Sequence, residues 1–102
     1  MIIVNGTVRF GAGEIDRLRG AMERNVEATR AEEGCEHYAY AVDISDPNLL
    51  HVAERWSDES AIERHMASPH MGEFMALVGA SKVEAISIKA YESSFLRNVL
   101  GD

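Results

Sequence analysis

The change of spacing between Phe10 and Glu14 constrains the fold of this chain more than any other local feature. Residues 2–10 are rich in β-branched and apolar side chains and read as a strand, which Gly11-Ala12-Gly13 stops. From Glu14 onward Ile15, Leu18, Met22, Val26 and Thr29 recur at steps of three and four, lining one face of a helix. Acidic Glu14 and Asp16 suit the first turn of that helix, and Gly34 offers a left-handed residue to end it. At 102 residues the chain has the length of one domain.

The rest of the sequence completes a recognisable order. Residues 35–43 read as a second strand with Tyr38, Tyr40 and Val42 on one side, and 45–48 form a loop dense in turn formers. Residues 49–56 give a third strand that places Val52, Glu54 and Trp56 on a single face. Ser57 or Asp58 can cap a short helix ending near Met66. Met71, Phe74, Met75 and Val78 stripe a further helix ending at Gly79, and residues 83–91 form the last strand. Strand, helix, strand, strand, helix pair, strand is the split βαβ order of an α+β, ferredoxin-like fold: one antiparallel sheet with helices on one side. The domain spans 1–92, and 93–102 form a tail with Phe95, Leu96, Val99 and Leu100. If the bare sheet face carries apolar side chains, a second copy should cover it, giving a homodimer with the tail as an arm.

Composition narrows the partners. Ten Lys and Arg stand against 17 Asp and Glu, a formal net charge of -7, which speaks against nucleic acid and anionic membranes. Cys35 is the only cysteine, so no disulfide forms within the chain, and a reducing cytoplasm is the expected compartment. No stretch approaches the ~20 apolar residues of a membrane span.

The segment Glu63-Arg64-His65-Met66-Ala67-Ser68-Pro69-His70 concentrates the chemistry. Pro69 lacks an amide proton and disfavours helical geometry at Ser68, so one helix stops there. Ser68 as N-cap and Pro69 as first residue then start another. The expected result is a joint that aims His65 into a dry hollow beside Trp56, the single tryptophan. His65 and His70 offer metal-ligand chemistry with Glu54 or Glu73, but five-residue spacing across a proline is irregular for a metal site, and none is expected. Gly11-Ala12-Gly13-Glu14-Ile15-Asp16 superficially resembles a dinucleotide loop. Asp16 stands at its third glycine position, where a carboxylate repels a pyrophosphate. The acidic surface reads as solvated.

Residues 33–40, EGCEHYAY, followed by residues 54–74, ERWSDESAIERHMASPHMGEF, resemble the antibiotic biosynthesis monooxygenase family. The resemblance rests on Gly34-Cys35 with Tyr38, Glu54-Arg55-Trp56, and His65 with Ser68-Pro69-His70. It implies a dimeric α+β barrel and the oxygenation of phenolic substrates without flavin, haem or metal. On that basis the expected activity is a cofactor-independent monooxygenase acting with dioxygen on a small aromatic quinol or hydroxyquinone. His65 would be the proton acceptor and Asn5 the donor to a developing oxyanion. Trp56, Tyr38, Met71 and Phe74 would wall the substrate, with His70 at the rim. Two rivals share the scaffold: an isomerase of small carbonyl compounds, and a non-catalytic small-molecule binding protein.

Overall fold

The computed structural model describes residues 1–102. Its elements run β1 (Ile2–Phe10), α1 (Glu14–Arg30), β2 (Cys35–Asp43), β3 (Asp46–Trp56), α2 (Glu59–Met66), α3 (Pro69–Gly79) and β4 (Val83–Glu92). The strands form one antiparallel sheet in the order β2-β3-β1-β4, the ferredoxin-like α+β arrangement. No helix is long and apolar enough to cross a membrane.

Strand periodicity decides which side chains meet the helices. Val4 and Val8 on β1, Tyr38 on β2, and Leu50, Val52 and Trp56 on β3 are buried on one face. Helix α1 lies over β2 and β3 and packs on α3, while α2 packs on β3 and α3. That cover stops short of β4. Ile86 and Ile88 pair with Val8 and Gly6 and so share their face. Both are nevertheless exposed, as is every β4 residue except Val83. Gly6 lets β1 and β4 approach closely, since a Cβ there would lie 2.0 Å from the Ser87 carbonyl oxygen.

Several local expectations need correction. Strand β3 begins three residues early because the hairpin closes at Asp43–Asp46, with Ile44 and Ser45 at its tip. Pro47 is tolerated there because the ladder breaks register between that pair and Val42–Leu50, so no regular bond calls for its missing N–H. Helix α3 ends at Gly79 as expected, whereas Gly34 is not the left-handed end of α1, which closes on right-handed Ala31. Gly34 has φ 86°, but three residues past that cap. Met75 is exposed, leaving Met71 and Phe74 as the buried contacts of α3. The sheet face away from the helices carries Asn5, His51, Ala53, Arg55, Ser87 and Lys89, all exposed. Ile3, Leu49 and Tyr91 share that face, so it is mixed, less uniformly apolar than a bare face that demands a cover. The large exposed apolar groups near this end of the sheet sit on β4 and in the tail, at Ile86, Ile88, Phe95, Leu96, Val99 and Leu100.

Candidate active site at the polar end of the core

The buried stripe of α1 runs Ile15, Leu18, Met22, Asn25 and Thr29, in steps of three and four. One further step of three reaches Glu32, just beyond the helix. The stripe thus changes from apolar to polar halfway along, and the two halves meet different partners. Ile15, Leu18 and Met22 join Val8, Phe10, Leu50, Val52, Met71 and Phe74 in one apolar cluster. Asn25, Thr29 and Glu32 lie toward the second cluster, where Tyr38 and Trp56 pack with Ile2, Val4 and Ala61.

His65 is placed there by α2. Asp58 caps that helix, accepting from the Ala61 amide at 2.9 Å, and so sets the phase that turns His65 inward, where it is 1% exposed. Its ring lies 4.8 Å from the Trp56 ring, tilted by 36°, and meets Tyr38 edge-on at 5.3 Å. Nδ1 is 2.7 Å from Glu32 Oε2. Ser68 ends this segment and begins the next: its hydroxyl donates to the His65 carbonyl at 2.6 Å and accepts from the Met71 amide at 3.3 Å. With Pro69 opening α3, His70 swings back toward Glu32 Oε2, 3.3 Å from its Nε2. The Ser-Pro break is therefore the joint expected from the sequence, and it gathers both imidazoles on one carboxylate.

Glu32 reaches this point because the turn after α1 is drawn under α2. The Ser57 amide donates to the Gly34 carbonyl at 2.8 Å, and Gly34 lies so close to Ala61 that an added Cβ would come within 2.6 Å of that side chain. Only glycine combines that approach with φ 86°.

The floor of the site is a hydroxyl pair. Tyr38 and Tyr40 hydroxyls stand 2.7 Å apart, and Asn25 Nδ2 donates to Tyr40 at 2.8 Å. Burial pushes the ionisation of both phenols up, so each remains neutral. Asn25 Oδ1 and Thr29 Oγ1 are buried with no partner in the protein. On β3 the Trp56 indole N–H donates to Glu54 Oε1 at 2.8 Å. Burial raises the pKa of the Glu54 carboxyl, against the opposing effect of that indole hydrogen bond.

The sequence-derived site residues are thus only partly assembled. Tyr38, Trp56, His65 and His70 come together. Met71 touches the group only as a weak acceptor from Asn25 Nδ2, at 3.9 Å from its sulfur. Phe74 belongs to the apolar cluster and stacks on Tyr40 at 5.8 Å. Asn5 does not join them. Its side chain alternates with Val4 to the opposite face of the sheet, where it is exposed, so it cannot donate to an oxyanion held near His65. Nor does His65 face an open hollow: it is packed against Trp56 and Tyr38. A cleft of about 390 Å³ lies between α1 and the β2–β3 hairpin, lined by Met22, Val26, Tyr40, Val42 and Leu50 with charged side chains of α1 at its rim. A smaller cleft of about 220 Å³ between α1 and α3 is lined by Asn25, His70 and Phe74. It reaches the polar group through Asn25 and His70.

The family model for antibiotic biosynthesis monooxygenases matches residues 1–77. The chain belongs to that family. A candidate monooxygenase of Mycobacterium tuberculosis is 30% identical over 71 residues, covering 70% of this chain and 69% of that protein. An uncharacterised protein of Synechocystis is 23% identical over 91 residues, 89% of this chain, and this chain spans only 62% of its length. Among solved structures, a candidate antibiotic biosynthesis monooxygenase from Deinococcus radiodurans superposes with a TM-score of 0.90 at 30% identity, covering 99% of this chain and all of that one. The family and these relatives' names support a monooxygenase-like role.

Proposed function

We propose that the protein is a cofactor-independent monooxygenase that oxidises a small aromatic quinol or hydroxyquinone with dioxygen. The observation that carries this reading is the Glu32–His65 hydrogen bond, 2.7 Å, on an imidazole buried beside Trp56. A carboxylate on Nδ1 fixes the tautomer with Nδ1–H donating, and leaves Nε2 as the basic nitrogen. That nitrogen takes the phenolic proton of the substrate when the packing of His65 against Trp56 and Tyr38 opens toward the cleft beyond His70. The resulting phenolate passes one electron to dioxygen, the two radicals recombine to a peroxide, and loss of water leaves the quinone. The protein supplies orientation, neutral phenol donors at Tyr38 and Tyr40, and a water-poor setting. The substrate enters by the cleft that His70 and Asn25 line. The test is dioxygen uptake over a quinol panel, in which His65→Ala loses at least about 100-fold of the wild-type rate, the lower range of general-base contributions. Absence of turnover of every quinol by the wild type removes the reading.

One observation favours a second reading, a binding protein without turnover: the 390 Å³ cleft lies apart from His65, within the size range of small-molecule sites. A quinol that raises the melting temperature without consuming dioxygen would select it. Turnover that continues without oxygen would instead select an isomerase.

The working unit in this reading is a homodimer. Ile86 and Ile88 on β4 and the apolar tail offer the surface for a second copy. Beyond Ser93, whose amide holds the Met1 carbonyl at 2.9 Å, the tail has no regular structure. Removing residues 94–102 should shift sedimentation from dimer toward monomer while leaving the far-UV spectrum unchanged.

A further inference from the structure

Glu32 Oε2 receives two imidazole nitrogens at once, His65 Nδ1 at 2.7 Å and His70 Nε2 at 3.3 Å. One ligand atom from each of the three residues lies within 4.8 Å of the other two. Within a continuous helix, positions five apart stand about 140° apart around the axis and cannot share a ligand. The Ser68–Pro69 break removes that obstacle, and the three groups arrive from three separate segments: the turn after α1, α2, and the first turn of α3. Their burial is graded. The His65 side chain is 2% exposed, Glu32 17% and His70 26%, so one ligand is anchored in the core while two stay within reach of water.

We infer that Glu32, His65 and His70 bind one divalent transition-metal ion of the zinc or cobalt type. Two imidazoles and one carboxylate form a donor set that suits such ions and leaves a fourth position open. Bonds of about 2.0–2.2 Å at tetrahedral angles place ligand atoms about 3.3–3.6 Å apart. The His70–Glu32 pair already has this separation, and the His65–Glu32 pair reaches it by opening about 0.6 Å from 2.7 Å, against the same bond lengths. Ser68 Oγ, 3.3 Å from His70 Nε2, is a neighbouring hydroxyl able to bond a water on the ion. Binding has a consequence for His65. A metal on Nδ1 moves the remaining ring proton to Nε2, so the nitrogen that accepts a phenolic proton in the metal-free state no longer can. The ion is therefore an inhibitor of the proposed oxygenation, and its binding is measurable with no substrate present.

The experiment titrates the chelator-treated full chain with Co²⁺ and Zn²⁺. Expected are one ion per chain, visible cobalt bands several-fold more intense than those of the aqueous ion, and displacement of cobalt by zinc. Removing His65 would leave a hole between Trp56 and Tyr38, so the test relies on His70→Ala and Glu32→Gln, each expected to weaken binding at least tenfold. His51→Ala, which breaks the exposed His51–Asp43 pair, is expected to leave binding unchanged. Circular dichroism confirms that each variant is folded. Affinity retained in folded His70→Ala and Glu32→Gln, binding lost in His51→Ala, or a cobalt spectrum matching the aqueous ion overturns the inference. Failure here leaves the oxygenase reading standing, because that reading uses the metal-free hydrogen bond.

Discussion

The two ends of the space between α1 and the sheet are built from the same backbone elements and differ in what they enclose. At the Phe10 end, Ile15, Leu18 and Met22 meet Val8, Leu50 and Val52, with no polar atom to satisfy. At the Trp56 end, the continuation of the same helical stripe delivers Asn25, Thr29 and Glu32 against two phenols, an indole and an imidazole. Apolar burial contributes stability in proportion to area and tolerates any side chain of the right volume. Buried polar groups stabilise only when partnered, and here two atoms are left without a protein partner. The first end holds the fold together; the second gives up some stability to keep reactive groups in fixed orientations.

Substitutions at the two ends should therefore separate stability from chemistry. Phe10→Ala, in the apolar end, should cost about 3–5 kcal/mol in denaturant unfolding while leaving the turnover of folded molecules near wild type. His65→Gln, which fills more of the space between Trp56 and Tyr38 than alanine, should do the reverse in emphasis, losing at least about 100-fold in dioxygen uptake, equivalent to about 2.7 kcal/mol of barrier. A Phe10→Ala variant with equally reduced turnover would show that the two ends are not separable. Thr29→Val replaces an unpartnered hydroxyl by a methyl of similar shape and should stabilise by about 1 kcal/mol. A loss of stability instead would reveal a partner for that hydroxyl and sharpen the site's outline.

The mildest test uses pH. The folded-state pKa of Glu54 is raised, chiefly by burial, so between the ordinary carboxyl value of 4.5 and that raised value the folded chain binds more protons than the unfolded one. Its contribution makes stability fall as pH rises through this window and level off above it. Glu54→Gln keeps an acceptor for the Trp56 indole but removes the charge. It should melt higher than wild type at pH 7, and the gain should vanish as pH falls below 4.5. A gain independent of pH would mean that packing, not charge, is responsible.

The fold was legible because periodicity and punctuation are local. The β-branched run before Gly11, the Asp58 and Ser68 caps and the Pro69 break each carry their meaning within a few residues, and each appears where local chemistry puts it. The site was legible only in part. Tyr38, Trp56, His65 and His70 could be grouped because the family pattern quotes them together. Asn5 could not be tested that way, since one residue of strand phase sends a side chain to the other face of the sheet. In the sequence Glu32 stands among many acids, and nothing next to it marks it as buried. The signal for it was present in the three- and four-residue steps of α1, followed past the helix end. Apolar Val26, next to Asn25, also fits the helical spacing and masks the change from apolar to polar along that stripe.

Glu32 lies in the turn beyond α1, not in the helix itself, and this has a kinetic consequence. Short turns rearrange far faster than packed helices unfold. The Glu32–His65 hydrogen bond then lasts only as long as the turn between Ala31 and Gly34 stays closed, while α2 and the packing on Trp56 and Tyr38 hold the ring itself. The amides of Cys35 and Ser57, bonded to Glu32 and Gly34 carbonyls, are built-in reporters of that lifetime. Their hydrogen-exchange rates should exceed those of the core strands and fall when anything clamps the carboxylate in place.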